Sequence, residues 1–253
     1  MQGNMRPFEA IIFDLGSTLI YFDGVWAEVI PRAVKALYRS LVDSGLELDE
    51  EKFLVEFNRR MEAYYQDRES DFIEYTTQYV LRDLLQEWGI SAPENILKSA
   101  VESMYRFTER YWKIDESTHE VLVRLKQREY RLGLISNSGD DSNVHRLVDK
   151  ANVRSYFDMI LTSAGEGIRK PNPRIFQMML EYWGLCANQV AMVGDTLGAD
   201  ILGARNAGIF SIWITRWADT SANRAHADTI HPDVIITRLD ELPELLDKLA
   251  QKN

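Results

Sequence analysis

Six short apolar runs constrain this protein more than any other feature, because they are continuous rather than alternating. They are 10–13, 132–135, 159–161, 190–193, 209–214 and 234–236. Strands buried on both faces read this way, and helical periods separate most of these runs. Alternation of that kind predicts an α/β fold, with a parallel sheet covered by helices on both sides. In such sheets ligands collect beyond the carboxyl ends of the strands. The polar residues that follow each run are therefore the first candidates for function.

The first run ends at Asp14 and a loop of small residues. The pattern then changes, and no convincing strand appears over 25–113. Phe53, Leu54, Phe57, Met61, Tyr64 and Tyr65 recur at helical spacing behind Asp49, a plausible N-cap. Tyr75, Tyr79, Val80, Leu84 and Trp88 predict a second helix that Gly89 ends. Ile96, Ala100, Met104 and Phe107 predict a third, opened near Ser91 and Pro93. Pro31 predicts a kink or restart in the earliest helical stretch, 25–43. The expected organisation is an α/β core over 1–20 and 115–253, with an all-helical domain over 21–114 hinged near 21–24 and 113–117. Ser117 is the expected cap of the helix after the second hinge. The segment 216–231 reads as a polar loop, and 240–249 as the final helix.

Composition narrows the partners. The 253 residues are 45% hydrophobic and 27% charged, and the net charge is -10. An acidic surface argues against a nucleic-acid or anionic-membrane partner. Cys186 is the single cysteine, so no intrachain disulfide forms and a reducing, cytoplasmic setting is expected. The polar start, 1–7, does not resemble a secretory leader, and Met5 is a possible alternative start. No stretch reaches the length of a membrane span. A monomer or homodimer acting on a small molecule is the expected form.

Four groups lie at or just beyond strand ends: Asp14, Ser136-Asn137, Lys170, and Asp195 with Asp200. A carboxylate there can attack phosphorus and form an aspartyl phosphate. Its charge would repel a phosphate dianion, and a divalent cation held by hard oxygen ligands removes that repulsion. Asp14, the backbone carbonyl of Gly16 and Asp195 form the natural ligand set. Asp200 is either an outer carboxylate that orients a metal-bound water or an acid at the start of a helix. Lys170 supplies positive charge for the nucleophile and the phosphoryl oxygens. Ser136, with Asn137, can hold a phosphoryl oxygen.

Asp14-Leu15-Gly16-Ser17-Thr18-Leu19, Ile135-Ser136-Asn137, Lys170-Pro171-Asn172-Pro173 and Gly194-Asp195-Thr196 with Asp200 resemble, in order and spacing, the four motifs of the haloacid dehalogenase superfamily. The helical insert resembles that family's C1 cap. The resemblance implies a Rossmann-like core, Mg²⁺, and usually phosphate-ester hydrolysis through Asp14. A sugar phosphate is one candidate substrate, because some sugar-1-phosphate phosphatases of the superfamily have a similar first motif. The departure is Gly16, where the phosphatases usually carry a second Asp as general acid and base. Positioned proton transfer is worth about 10² to 10⁴ in rate. Three readings stay open: a phosphatase whose acid lies elsewhere or whose leaving group needs little protonation, a 2-haloacid dehalogenase, and a silent binding protein. The dehalogenases typically lack the carboxylates of the fourth motif. A blander explanation is that the loop needs glycine for its backbone geometry.

Asp23, Asp140, Asp141 and Glu166 stand as candidate replacement acids. Tyr21, Phe22 and Trp26 follow the nucleophile loop and are placed to overhang the site. Tyr64, Tyr65, Tyr75, Tyr79, Tyr105, Tyr111 and Trp112 read as the core of the helical insert. Arg68, Arg106 and Arg110 could reach a second anionic group but read better as a solvated face. The four histidines show no ligand spacing.

Overall fold

The computed structural model describes residues 6–251, and the side chains of all of these but 68–71. In sequence order the elements begin with β1 (Ala10–Phe13), β2 (Ile20–Phe22), α1 (Trp26–Asp43), α2 (Glu50–Asp71), α3 (Thr77–Glu87), α4 (Glu94–Glu109), β3 (Trp112–Ile114) and α5 (Thr118–Gln127). Then come β4 (Arg131–Ser136), α6 (Asp141–Lys150), β5 (Met159–Thr162), α7 (Ser163–Glu166), α8 (Pro173–Trp183) and β6 (Val190–Gly194). A π-helical turn, Leu197–Ile201, leads into α9 (Leu202–Asn206), followed by β7 (Phe210–Ile214), α10 (Ser221–His226), β8 (Val234–Ile236) and α11 (Leu242–Ala250).

The six apolar runs form one parallel sheet in the order β5-β4-β1-β6-β7-β8. The backbone leaves β1 for β4 on one side and later returns to β6 on the other. The carboxyl end of β1 is therefore the switch point of the sheet, where a crevice opens. Side chains alternate across the sheet, so Ile11 and Phe13 join one core cluster while Ala10 and Ile12 join another. Helices α5, α6 and α11 cover the first face, and α8 and α9 cover the second.

Helices α1 to α4 bury a separate cluster built on Leu37, Leu41, Phe53, Phe57, Leu81, Leu84 and Leu97. The Asp49 carboxylate caps α2 by accepting from Lys52 N at 2.8 Å. Gly89 takes a positive φ of 71° just beyond α3. Helix α1 runs unbroken through Pro31, without the expected restart. The Ser117 hydroxyl does not cap α5, because it donates to Asp115 instead, at 2.7 Å.

Two strands that the sequence concealed join the helical unit to the sheet. β2 and β3 pair antiparallel, with Ile20 opposite Ile114 and Phe22 opposite Trp112. This ribbon occupies the expected hinge positions. Opposite the ribbon, segment 72–77 touches the sheet's loops. Arg169 N donates to Phe72 O, Glu74 N to Gly167 O and Thr77 N to Gly139 O. Glu74 is 5% exposed and accepts from Ser163 Oγ at 2.7 Å and from the Tyr64 hydroxyl, with Arg169 Nε 3.6 Å away.

Removing the Glu74 carboxylate deletes two buried hydrogen bonds, from Ser163 and Tyr64, which costs about 1–3 kcal/mol. Glu74→Ala is expected to lower the melting temperature and to raise protease sensitivity at 72–77. An unchanged melting temperature would contradict this contact's role.

Candidate active site

The nucleophile position is set by β1. Asp14 N donates to Val193 O at 3.0 Å, which fixes the residue level with the end of β6. From the second-face side, Lys170 reaches the same point, and the residue is 2% exposed. Its Nζ donates to Asp14 Oδ1 at 2.6 Å, Asp200 Oδ1 at 2.6 Å and Ile135 O at 2.7 Å. Its three hydrogens are thus matched by three oxygens. The carboxamide of Asn137 holds this loop: Nδ2 donates to Lys170 O and Oδ1 accepts from Lys170 N, both at 2.9 Å. Ser136 ends β4, is 7% exposed and lines the cavity.

The third carboxylate follows from a space requirement at Gly194. A Cβ there would lie 2.3 Å from Asp200 Cγ, so only glycine lets the Asp200 carboxylate fold back under β6. Asp200 Oδ2 accepts from Thr196 N at 2.9 Å, and the residue is 1% exposed. Asp195 is anchored through its backbone, whose carbonyl accepts from Trp213 Nε1 at 2.7 Å and Asn223 Nδ2 at 2.8 Å. Asn223 Oδ1 also accepts from Leu197 N at 2.8 Å. The polar segment 216–231 therefore contains α10 and a residue that braces the site. Reading it as a plain loop missed both.

Ligand atoms of Asp14, Asp195 and Asp200 lie within 4.8 Å of one another. Burial raises the Asp14 carboxyl to about 6, with Lys170 opposing and Asp200 adding to the rise. Burial, followed by the charges of Asp14 and Asp200, holds Asp195 well above the usual carboxylate range. Burial works to lower Lys170, but Asp14 and Asp200 together outweigh it and the ammonium is held above its ordinary value. Three buried carboxylates share one ammonium. Hard oxygen donors carrying that excess of negative charge suit a hard divalent cation such as Mg²⁺.

The site opens into a cavity of about 570 Å³ between the sheet and α1 to α4. Trp26, Tyr64, Tyr65, Tyr105 and Trp112 line it; Tyr21, Phe22, Tyr75, Tyr79 and Tyr111 do not. Tyr21 stacks on Trp217 instead, and Phe22 on Trp26. Asp23, Asp140, Asp141 and Glu166 all lie off the cavity lining. Asp140 caps α6 by accepting from Asn143 N, and Asp141 accepts from Thr162 Oγ1. The lining contains Glu62 and Glu74, which the sequence did not single out. Arg106 pairs with Glu102 and Arg110 lies over Phe107, both away from the cavity. The Arg68 guanidinium lies outside the described residues.

Gly16 lines the cavity, and its φ is not in the left-handed region; Ser17 carries the positive φ, 59°. Backbone geometry does not demand glycine there. Space is tight, because a Cβ at position 16 would lie 3.2 Å from the Trp112 ring and the indole would have to give by a few tenths of an ångström.

Residues 8–208 match the haloacid dehalogenase-like hydrolase family. This chain belongs to that family. It is a hydrolase of the haloacid dehalogenase type, with an α/β core. It is 30% identical to a glyceraldehyde 3-phosphate phosphatase of Methanothermobacter thermautotrophicus, over 94% of this chain and 99% of that one. It is 27% identical to a glyceraldehyde 3-phosphate phosphatase of Pyrococcus furiosus, over 98% of this chain and 96% of that one. A 2-haloacid dehalogenase structure from Pseudomonas syringae superposes with a TM-score of 0.68 at 25% identity, covering 95% of this chain and 99% of that one. Among the described residues, no helix is long and apolar enough to cross a membrane.

A cation at this site would compete with protons on Asp14. As pH falls through about 6, the folded protein takes up a proton there before the unfolded chain would. Metal-free protein therefore gains stability between pH 6 and the ordinary Asp range, while cation affinity declines. The rise in melting temperature on adding Mg²⁺ is expected to shrink steadily from pH 8 to pH 5. A pH-independent rise would contradict carboxylate ligation.

Proposed function

We propose that this protein is a Mg²⁺-dependent phosphatase for a small phosphorylated metabolite, with a sugar phosphate among the candidates. The observation that carries the reading is the buried set of Asp14, Asp195 and Asp200 around one ammonium. Asp14, the backbone carbonyl of Gly16 and Asp195 would hold the cation directly, and Asp200 would orient its outer ligands. When bound, Mg²⁺ neutralises charge between the nucleophile and the phosphoryl oxygens. The names of the two curated relatives, both glyceraldehyde 3-phosphate phosphatases, support phosphate-ester chemistry.

Asp14 forms a new O–P bond while the P–O bond to the leaving group breaks. The leaving oxygen takes the electron pair, and water later attacks the aspartyl phosphate to release phosphate. Lys170 keeps the free Asp14 oxygen aimed and stabilises the phosphoryl oxygens as charge develops. Ser136 donates its hydroxyl to one of those oxygens. The Asn137 amide, already bound to the Lys170 backbone, contributes by holding the loop in register. Residues 21–114 act as a cap that opens about the β2–β3 ribbon to admit substrate and closes to exclude water.

Glycine at position 16 removes the usual acid, and Trp112 fills part of the space it would occupy. Gly16→Asp is therefore expected to be slower than the parent, and to gain rate only when combined with Trp112→Ala. Faster turnover in Gly16→Asp alone would show that the indole yields readily.

Phosphate release from a panel of esters, with and without Mg²⁺, tests the reading. Asp14→Asn is expected to reduce activity by at least about 10⁴-fold, as loss of a nucleophile does. The structural likeness to a 2-haloacid dehalogenase gives the second reading its own assay. Chloride release from 2-haloacids, with no phosphate release from any ester, would replace the phosphatase reading.

A further inference from the structure

The cavity over Asp14 has two unlike ends. At the sheet it is polar and acidic. Towards the helices its wall is mainly apolar, formed by Ile30, Val34, Phe57, Met61, Met104 and Leu147, with Asn58, Glu62 and Arg169 as polar members. Two indoles close one side. Trp26 and Trp112 meet edge to face, with ring centroids 5.9 Å apart and planes at 69°. Trp26 remains 47% exposed while stacked on Phe22.

Among the described residues, a buried amide oxygen on this wall has no protein partner. Asn143, near the start of α6, lines the cavity and is 7% exposed. Its Oδ1 meets no hydrogen-bond donor of the protein. A buried amide oxygen in that state is a ready acceptor for a hydroxyl or N–H of a ligand.

The carboxylates beside the site are poorly placed to protonate a leaving group. Position 16 offers none, and the Trp112 ring stands against it. Glu74 is engaged by Ser163 and Tyr64. Glu62 lines the cavity from an exposed position on α2, where water screens it, and is the carboxylate that a test has to exclude.

We propose that the leaving group of the natural substrate is neutral, flat and mainly apolar, with a weakly basic, phenol-like oxygen and one hydrogen-bond donor that meets Asn143. The proposal rests on the phosphatase reading above. The apolar wall accepts the body of such a group, and the indoles stack on or against its ring. As Asp14 bonds to phosphorus, the breaking P–O bond leaves its electron pair on an oxygen that is stable as an anion. That oxyanion takes its proton from water after departure, so no enzyme acid is needed at position 16.

The test is kcat/KM for graded esters with the full-length protein and saturating Mg²⁺. This constant reports phosphoryl transfer to Asp14 and not the later hydrolysis. A series of substituted phenyl phosphates is extended by phenethyl phosphate, phosphoserine and 2-phosphoglycolate. The expected result is a steady fall with leaving-group basicity, reaching about 10²-fold or more from the nitrophenyl to the phenethyl ester. Phenethyl phosphate is expected to exceed both anionic alkyl phosphates. In Asn143→Ala, the advantage of a ring bearing a hydroxyalkyl group over a plain phenyl ring is expected to vanish.

A flat series, or a preference for the anionic alkyl phosphates, overturns the proposal while leaving the phosphatase reading intact. A steeper slope in Glu62→Gln also overturns it, because Glu62 would then be the acid. Failure of every ester to release phosphate overturns both.

Discussion

One buried ammonium facing three carboxylates governs this molecule. Lys170 cannot balance Asp14, Asp195 and Asp200 alone, and burial penalises each unpaired charge. The surrounding structure serves to keep the carboxylates together despite that penalty. Gly194 leaves room for Asp200, Asn223 and Trp213 hold the Asp195 carbonyl, and Asn137 clamps the backbone that carries Lys170. A cation bound there would relieve that penalty, as protonation does in its absence, and this links the architecture to the proposed chemistry. The sheet supplies the framework because its order reverses at β1, so three strand ends and the Lys170 loop converge on one crevice.

The helical unit adds a second constraint by placing Trp112 over the nucleophile loop. The β2–β3 ribbon fixes that placement, since Phe22 and Trp112 face each other across it. Contacts at 72–77 tie the opposite edge to the loops that carry Ser163 and Arg169. The cavity is thus enclosed by elements that bear the chemistry on one side and an apolar wall on the other. The position lacking an acid and the indole that occupies its space belong to the same contact. The chemistry of the leaving group and the shape of the cap are then one question.

The sheet, its polar strand ends and the Lys170 loop were legible in the sequence because continuous apolar runs and the residues that follow them are local signals. Asp49 as a cap and Gly89 as a stop were legible for the same reason. What was hidden depends on contacts between distant residues. The ribbon's strands are only three residues each, too short to show a period of two. Asn223 sits in a six-residue helix inside a polar stretch, where composition suggests a loop. Glu74 looks like any loop acid until the fold buries it. Nothing near Gly16 announces Trp112, so the sequence offered backbone geometry as one explanation for glycine and could not show that an indole stands 3.2 Å from a Cβ there.

The most direct test is intact-protein and peptide mass spectrometry after brief mixing with Mg²⁺ and an aryl phosphate, quenched in acid. The account predicts a phosphorylated species that accumulates, because no carboxylate at position 16 speeds water attack, with the label on the peptide containing Asp14. A phosphoryl group on another residue, or rapid phosphate release with no label at any quench time, would contradict it.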